Sequence, residues 1–270
     1  MTRRITLRVR SADTERALDR VMPLLPDGVH LRADTTATEI VALEGPGGAI
    51  SATALEAAAG DVLLARARED EIDDLDAELN RLRPRFLVGA RLVVRHPDGE
   101  PMPGRVEVLI ARAQGFGSGA HPTTRMCLEL LEHVEPRGAF ADLGCGAGVL
   151  VIAAAKLGFA PVAGIDMTPA AVDEANANAD RNGVAATFTA GDLLRVDLPP
   201  ARVVAANVSA MPVHERLADH GLPGTETLIV AGLPDTEAEQ AIARYAAAGF
   251  AETDRRRHAR WLTARLDRAV

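Results

Sequence analysis

The chain of 270 residues carries a net charge of −8, and 47% of its residues are hydrophobic. This length allows one large domain or two modest ones, and the apolar content is ordinary for a globular protein. The acidic balance, with a pI of 5.4, excludes a protein that coats nucleic acid, so we expect no direct DNA binding.

The first 68 residues alternate strand and helix signals. Apolar and polar residues alternate in "RITLRVR", as in a half-buried strand, and two helical segments open with Ser11 and Ser51 as N-caps. The order strand, helix, strand, strand, helix, strand predicts a ferredoxin-like sandwich, a small α+β domain over residues 1–68. The later strands are assigned to "GVHLRA", "TEIVALE" and "GDVLLARA".

The segment that follows, "REDEIDDLDAELNRLRP", is acidic and ends at Pro84, so it predicts a helical connector. "RFLVGARLVVRH" and "GRVEVLIAR" predict strands on either side of a turn-rich run. Residues 69–104 are therefore assigned to a linker helix and a connecting strand region.

Residues 105–270 show strands that alternate with helices of about ten to fifteen residues, which predicts a doubly wound, Rossmann-like parallel sheet. The basic run "RRRHARWLTAR" near the end of the chain is interpreted as a solvated face. The strand segments are "AFADLGCG", "APVAGID", "ATFTAGD", "ARVVAANV" and "ETLIVAGL".

Cysteine usage and apolar runs bear on the compartment. Cys127 and Cys145 lack the spacing of a redox or metal pair, which favours free thiols in a reducing compartment. No apolar segment follows the basic N-terminus, and no run approaches about 18 apolar residues, so neither a signal peptide nor a membrane span is expected. The sequence predicts a cytoplasmic protein without membrane contact.

The motif "DLGCGAG", Asp142 to Gly148, follows an apolar strand and opens an apolar helix. Its glycines permit a tight turn close to a ligand, and the helix N-terminus offers free N–H groups to an anion. A dinucleotide fingerprint would need a glycine where Val149 stands. An acidic residue followed by GxGxG, with Gly144 and Gly146, is instead the spacing of S-adenosylmethionine (SAM) sites, where the anion is the methionine carboxylate.

Three polar residues follow successive strands. Asp166 stands about 20 residues beyond the glycine turn, where an acidic side chain accepts hydrogen bonds from ribose hydroxyls; a helix N-cap is the alternative, although Thr168 is better placed for it. Asp192 contacts adenine or occupies an ordinary turn. Asn207 offers a neutral amide to an entering amine or forms an Asx-turn.

The run "GFGSGAHPTT", Gly115 to Thr124, has no lysine and is therefore not a P-loop. His121 has no cysteine or second histidine at ligand spacing, so no metal site is predicted. The remaining interpretation is a loop that covers a cofactor, with His121 holding the loop in shape.

Together, "GFGSGAHPTTRMCLELLE", "DLGCGAGVLVIAAAKLG", "GIDMTPAAVDEANANADRNGV" and "ANVSAMPV" resemble the bacterial methyltransferases of ribosomal protein L11, the PrmA type. The resemblance covers residues 105–270 and implies a class I SAM-dependent methyltransferase domain. It further implies methylation of lysine or N-terminal amines of a large-subunit ribosomal protein, gripped by the N-terminal domain. Carried over motif by motif, it implies cofactor contacts at Thr124, Gly144, Asp166 and Asn207. We expect a monomer.

Departures from the family pattern fall on the parts that face the substrate. The single tryptophan is Trp261, Ser209 stands where a leucine is usual, and the N-terminal region is short. The tryptophan pattern and Ser209 motivate one alternative, a methyltransferase of a small molecule or peptide. A non-catalytic SAM-binding or ribosome-associated module is a further alternative of another class. Methyl transfer to an amine requires no general base, so only Asn207 and His121 are named as candidates for a catalytic role.

Overall fold

The computed structural model describes residues 2–25, 29–33, 36–44, 50–73, 85–111 and 121–269. They form two compact units, Met1–Leu87 with Asp98–Met102 and Val88–Pro97 with Pro103–Val270. Among the described residues, no helix has the length and apolar character needed to cross a membrane. Residues 115–120 of the predicted covering loop and residues 74–84 of the predicted connector lie outside this description.

Unit 1 is built on an antiparallel sheet. Its elements are β1 (Thr2–Arg10), α1 (Thr14–Val21), β2 (His30–Ala33), β3 (Ala37–Glu44), α2 (Ala52–Ala59) and β4 (Arg68–Ile72). The strand order is β2–β3–β1–β4, and all three strand pairs are antiparallel. Ile5, Leu7 and Val9 of β1 are buried with residues of α1 and α2. This arrangement confirms the predicted ferredoxin-like order.

The fourth strand begins later than the sequence predicted. "GDVLLARA" forms a 3-10 turn at Gly60–Val62 instead of a strand. Arg68–Ile72, predicted as the start of the linker helix, pairs with β1, and Arg4 and Asp70 form an ion pair of 2.7 Å across the two strands. Charged residues do not favour strands, so the composition of β4 does not predict one. Complementary charges on β1 stabilise β4 as a strand.

The two predicted N-caps differ in outcome. The Ser51 side chain accepts a hydrogen bond from the Ala54 N–H at 3.2 Å, as predicted. Ser11 does not cap α1, because Ser11–Asp13 forms a 3-10 turn and the helix begins at Thr14.

Unit 2 contains the larger sheet. The boundary between the units falls within β5 (Arg85–Val88). The first elements of unit 2 are β6 (Leu92–Arg95), β7 (Val106–Leu109), α3 (Pro122–Leu131), β8 (Phe140–Leu143), α4 (Val149–Leu157), β9 (Val162–Asp166) and α5 (Pro169–Asn182). They are followed by β10 (Thr187–Ala190), β11 (Val203–Asn207), α6 (Met211–His220), β12 (Thr227–Ala231), α7 (Asp235–Ala247), β13 (Phe250–His258) and β14 (Trp261–Arg268). The sheet order is β10–β9–β8–β11–β12–β14–β13. The first five strands in this order are parallel, and β14 is antiparallel to both its neighbours.

Side chains of alternate residues bury both faces of this sheet, because successive residues of a strand point to opposite sides. Val203 and Ala205 of β11 join the core formed with α3 and α4. Val204 and Ala206 join the core formed with α6 and α7. The predicted doubly wound sheet is confirmed, and the carboxyl ends of its parallel strands share one edge, where open α/β sheets hold ligands.

Candidate functional site

A cavity of about 600 Å³ lies at this carboxyl edge of the sheet in unit 2. Its size is in the range of cofactor sites. Residues from the ends of several strands and from the start of α3 line it. All seven residues singled out from the sequence are among them: His121, Thr124, Gly144, Gly146, Asp166, Asp192 and Asn207.

The glycine turn is tied to the end of β9 through its backbone. The N–H groups of Gly144 and Cys145 donate to the Ile165 carbonyl at 2.8 and 2.9 Å. The Gly146 N–H donates to Asp166 Oδ2 at 2.9 Å. These three N–H groups of the turn are therefore engaged within the protein and do not face an anion. The first turn of α4, whose Val149 lines the cavity, is left for that role.

Two turn glycines adopt backbone angles that other residues avoid. Gly144 has a φ of +90°, and a Cβ there would lie 2.8 Å from Cγ2 of Val208. Gly148 has a φ of +82°, and a Cβ would lie 3.1 Å from Ala175 and from the Phe188 ring. Glycine is therefore required by both conformation and space.

Asp142 is a buried carboxylate at the floor of the cavity, and it was not among the predicted site residues. Its side chain is 2% exposed, and Oδ1 has no hydrogen-bond partner among the described residues. Burial, with the nearby charge of Asp166, raises the pKa of Asp142 to about 8. The acidic position of the "DLGCG" motif was the signal that could have identified it.

The two other acidic residues of the cavity are held by neighbouring backbone groups. Asp166 ends β9, and its Oδ1 accepts a hydrogen bond from the Thr168 N–H at 3.0 Å. Thr168 precedes α5 but makes no capping bond with its side chain. Asp192 Oδ1 accepts from the Leu194 N–H at 2.9 Å in a turn that no helix follows. Each carboxylate keeps further acceptor positions for a ligand.

The start of α3 brings a second group of side chains to the cavity. His121 is the N-cap residue, and its Nδ1 accepts from the Thr123 hydroxyl at 2.8 Å and from the Thr123 N–H at 3.4 Å. The Asn207 amide donates to the Thr124 hydroxyl oxygen at 3.4 Å. Burial is the main cause that lowers the pKa of His121, and the charges of Arg125 and Arg260 add to it, so the ring is neutral at pH 7.

Trp261, the first residue of β14, also lines the cavity. Its ring centroid lies 5.0 Å from that of His121 in an edge-to-face arrangement. The Arg260 guanidinium lies 4.8 Å from the centre of the Trp261 ring. Local motifs could not identify Trp261, because it reaches the cavity only through the β13–β14 hairpin.

Two buried side chains support the cavity from behind. His214 is fully buried, and its Nε2 donates to the Val208 carbonyl at 2.9 Å while the Tyr245 hydroxyl lies 3.1 Å from Nδ1. Asn178 is also fully buried and donates from Nδ2 to the Ala147 carbonyl of the glycine turn at 3.0 Å. No sequence motif indicates either role, since both residues lie within ordinary helices.

The parallel sheet with an antiparallel last strand, the glycine turn after β8 and the acidic end of β9 define the class I SAM-dependent methyltransferase fold. The sequence profile described as Ribosomal protein L11 methyltransferase (PrmA) matches residues 52–269. The chain therefore belongs to this family.

Individual relatives agree with this assignment. Proteins named ribosomal protein L11 methyltransferase are 41% identical over 150 residues in Dechloromonas aromatica and 41% identical over 152 residues in Aliivibrio salmonicida. Each match covers 54% of this chain, and the chain spans about half the length of these relatives, 50% and 51%.

A solved structure shares the fold. The ribosomal protein L11 methylase from Lactobacillus delbrueckii subsp. bulgaricus superimposes with a TM-score of 0.59 at 23% identity, over 69% of this chain and 98% of that chain.

Proposed function

We propose that the protein is a SAM-dependent N-methyltransferase that modifies lysine side chains or the N-terminal amine of ribosomal protein L11. The observation that carries this proposal is the donor and acceptor set of the cavity. A buried carboxylate whose Oδ1 has no hydrogen-bond partner among the described residues, a strand-terminal carboxylate and the start of a helix surround one space of about 600 Å³.

The residues fit the parts of SAM. Asp142 Oδ1 matches the methionine ammonium, because a buried acceptor without a partner gains most from a cation. Asp166 retains acceptor positions for the ribose hydroxyls. Met167 and Leu194, exposed apolar side chains at the rim, match the faces of the adenine, with Asp192 beside them.

The acceptor amine would enter beside Asn207 and Trp261. SAM supplies an activated methyl group when bound, so the protein must orient the amine and exclude water. Val208, Val213 and Trp261 provide apolar surface for the second task. The neutral His121 and the Asn207 amide offer polar contacts that do not require a charged amine. Among the described residues, no cluster of His, Cys, Asp or Glu could hold a metal.

Membership of the L11 methyltransferase family supports ribosomal protein L11 as the substrate. The profile match begins at residue 52, so β1, α1, β2 and β3 lie outside it. That observation, with the exposed Ser209 at the cavity, favours methylation of a small molecule or free peptide as the second candidate function.

The test combines binding and turnover. Calorimetry should detect SAM binding, and mass spectrometry should show added methyl groups on purified, unmethylated ribosomal protein L11. Asp166→Ala should weaken SAM binding by about 1–3 kcal/mol, which is roughly 5- to 150-fold. The control Asp180→Ala removes an exposed carboxylate from α5 and should leave binding unchanged. SAM binding without methylation of L11 would favour the second candidate function, methylation of a small molecule or free peptide. Absence of SAM binding would refute the proposal.

A further inference from the structure

Two arginines neighbour His121 and Trp261, which line the cavity. Arg125 follows His121 by one helical turn, and its backbone N–H donates to the His121 backbone carbonyl at 3.2 Å. Arg260 precedes Trp261 in the β13–β14 hairpin and places its guanidinium over the indole ring. Both positive charges act on the His121 ring, whose pKa is lowered mainly by burial and further by these two groups.

Neither guanidinium is paired with a carboxylate within the part of the chain that the structure describes. Two acidic residues of α7 already bind arginines of the hairpin. Arg257 binds Asp235 at 2.8 Å and Glu239 at 2.9 Å, and Arg255 also binds Glu239 at 2.8 Å. In a chain of net charge −8, two cations left unpaired beside a cavity indicate a place for an external anion.

The two ends of the cavity differ in charge. Asp142, Asp166 and Asp192 line the end near the glycine turn. Arg125 and Arg260 neighbour His121 and Trp261, which line the end where we place the acceptor. The carboxylate of an acceptor, which lacks the neighbouring ammonium group of SAM, is disfavoured beside Asp166 and Asp192 and attracted to the two guanidinium groups. A guanidinium fork also recognises the planar carboxylate geometry with two hydrogen bonds.

We propose that Arg125 and Arg260 form a carboxylate-binding subsite that selects acceptors with an acidic side chain close in space to the amine to be methylated. The subsite rests on the proposed function and adds to it a chemical requirement on the substrate. The acidic group would anchor the acceptor beside Trp261 while the amine enters toward Asn207.

The test uses lysine peptides in which one glutamate is moved along the sequence on either side of the lysine, each with a matched glutamine peptide. Release of S-adenosylhomocysteine by the full chain gives kcat/KM for each pair. The favourable glutamate peptide should exceed its glutamine partner by about tenfold. Arg260→Gln and Arg125→Gln should each remove most of this preference, mainly through KM. The control Arg257→Gln removes an equal charge that is already paired and should keep the preference.

A charge exchange makes the test stricter. Arg260→Glu should reverse the preference toward a peptide with lysine in place of the favourable glutamate. Turnover with equal kcat/KM for glutamate and glutamine peptides would overturn the subsite while leaving methyl transfer intact. A SAM affinity that falls in Arg125→Gln or Arg260→Gln would assign the arginines to the cofactor and also overturn it. If no acceptor is methylated at all, the proposed function itself fails.

Discussion

The cavity has two edges that are built by different means. The glycine edge, Asp142–Gly148 with Asp166, is fixed by backbone hydrogen bonds between the ends of two adjacent strands. The hairpin edge, His121, Asn207–Ala210 and Trp261, is assembled mainly from side-chain contacts between distant parts of the chain. A backbone-fixed edge suits a ligand that never changes, whereas an edge made of side chains can be altered residue by residue to suit a different acceptor.

The two edges meet at Val208. Its Cγ2 limits the space at Gly144, and its backbone nitrogen lies 2.5 Å from where a Cβ on Gly232 would stand. The Val208 carbonyl is held by His214. Substitutions on the glycine edge, on the hairpin edge and at Val208 can therefore test whether the two edges differ in how firmly they are held.

The largest effect is expected at Asp142, which has a strongly shifted pKa. Its folded pKa of about 8 exceeds the ordinary value, so between pH 4 and 8 the folded protein binds more protons than the unfolded chain. Its contribution therefore makes the protein without cofactor less stable as pH rises through this window. Asp142→Asn should remove this loss and raise the free energy of unfolding at pH 8 by an amount on the order of 5 kcal/mol relative to the wild type.

Urea unfolding of both proteins at pH 4 and pH 8 checks this prediction. The two stabilities should nearly agree at pH 4. The control Asp180→Asn, on the exposed surface of α5, should change neither value. A gain of equal size at both pH values would mean that packing, not ionisation, distinguishes the variant. Asp142→Asn should at the same time weaken SAM binding, because the ammonium loses its charged partner.

The contact between the edges should give the next largest effect. Gly232→Ala places a Cβ against the Val208 backbone at a φ of +89°, which should cost about 4 kcal/mol of stability. Gly144→Ala meets only the Val208 side chain and should cost less. Gly183→Ala, at a φ of +63° with nothing within 4 Å, measures the cost of the backbone angle alone, about 1 kcal/mol.

A second substitution separates the two contacts. Val208→Ala should relieve Gly144→Ala, since it removes the clashing methyl group, but should not relieve Gly232→Ala, where the obstacle is backbone. Equal rescue of both variants in a double-mutant cycle would contradict this prediction and show that the backbone of the loop after β11 can shift.

The two edges also differ in how far their residues could be predicted from the sequence. The glycine edge uses residues close together in two consecutive strand–turn units, so a local motif identified Gly144, Gly146 and Asp166. At the hairpin edge, Trp261 contacts His121 only after the whole sheet has formed. Its spacing carries no information until strand order is known, and the same holds for Arg125 and Arg260.

The elements predicted from the sequence agree with the structure where the pattern of apolar residues is strong. Nearly continuous buried apolar runs form β8, β9, β11 and β12, and these strands and the helices between them were predictable from pattern. The pattern failed at Arg68–Ile72, where a strand of charged residues is stabilised by partners on β1. It also failed at "GDVLLARA", whose apolar residues form a turn and an isolated bridge from Leu63 to Val9. Tertiary partners decided both cases.

Support for the glycine edge should be measurable at Asn178. Asn178→Leu leaves the Ala147 carbonyl and the Ala111 N–H without their partner and should cost about 2 kcal/mol of stability. Asn176→Leu, two residues away and bonded only within its own helix, should cost less than about 0.5 kcal/mol. Urea unfolding measures both. Equal losses would mean that the helix, and not the bond to the turn, responds to the substitution.

The smallest effect is expected at Thr124, which Asn207 of the hairpin edge contacts. The bond from the Asn207 amide to the Thr124 hydroxyl oxygen is long, 3.4 Å, so Thr124→Val should cost only about 0.5 kcal/mol of stability. If the hydroxyl also contacts SAM, the dissociation constant should rise severalfold, while Thr124→Ser, which keeps the hydroxyl, should bind nearly as the wild type does. A stability loss above about 2 kcal/mol would show that this edge is held as firmly as the glycine edge, because weak side-chain contacts alone could not account for such a loss.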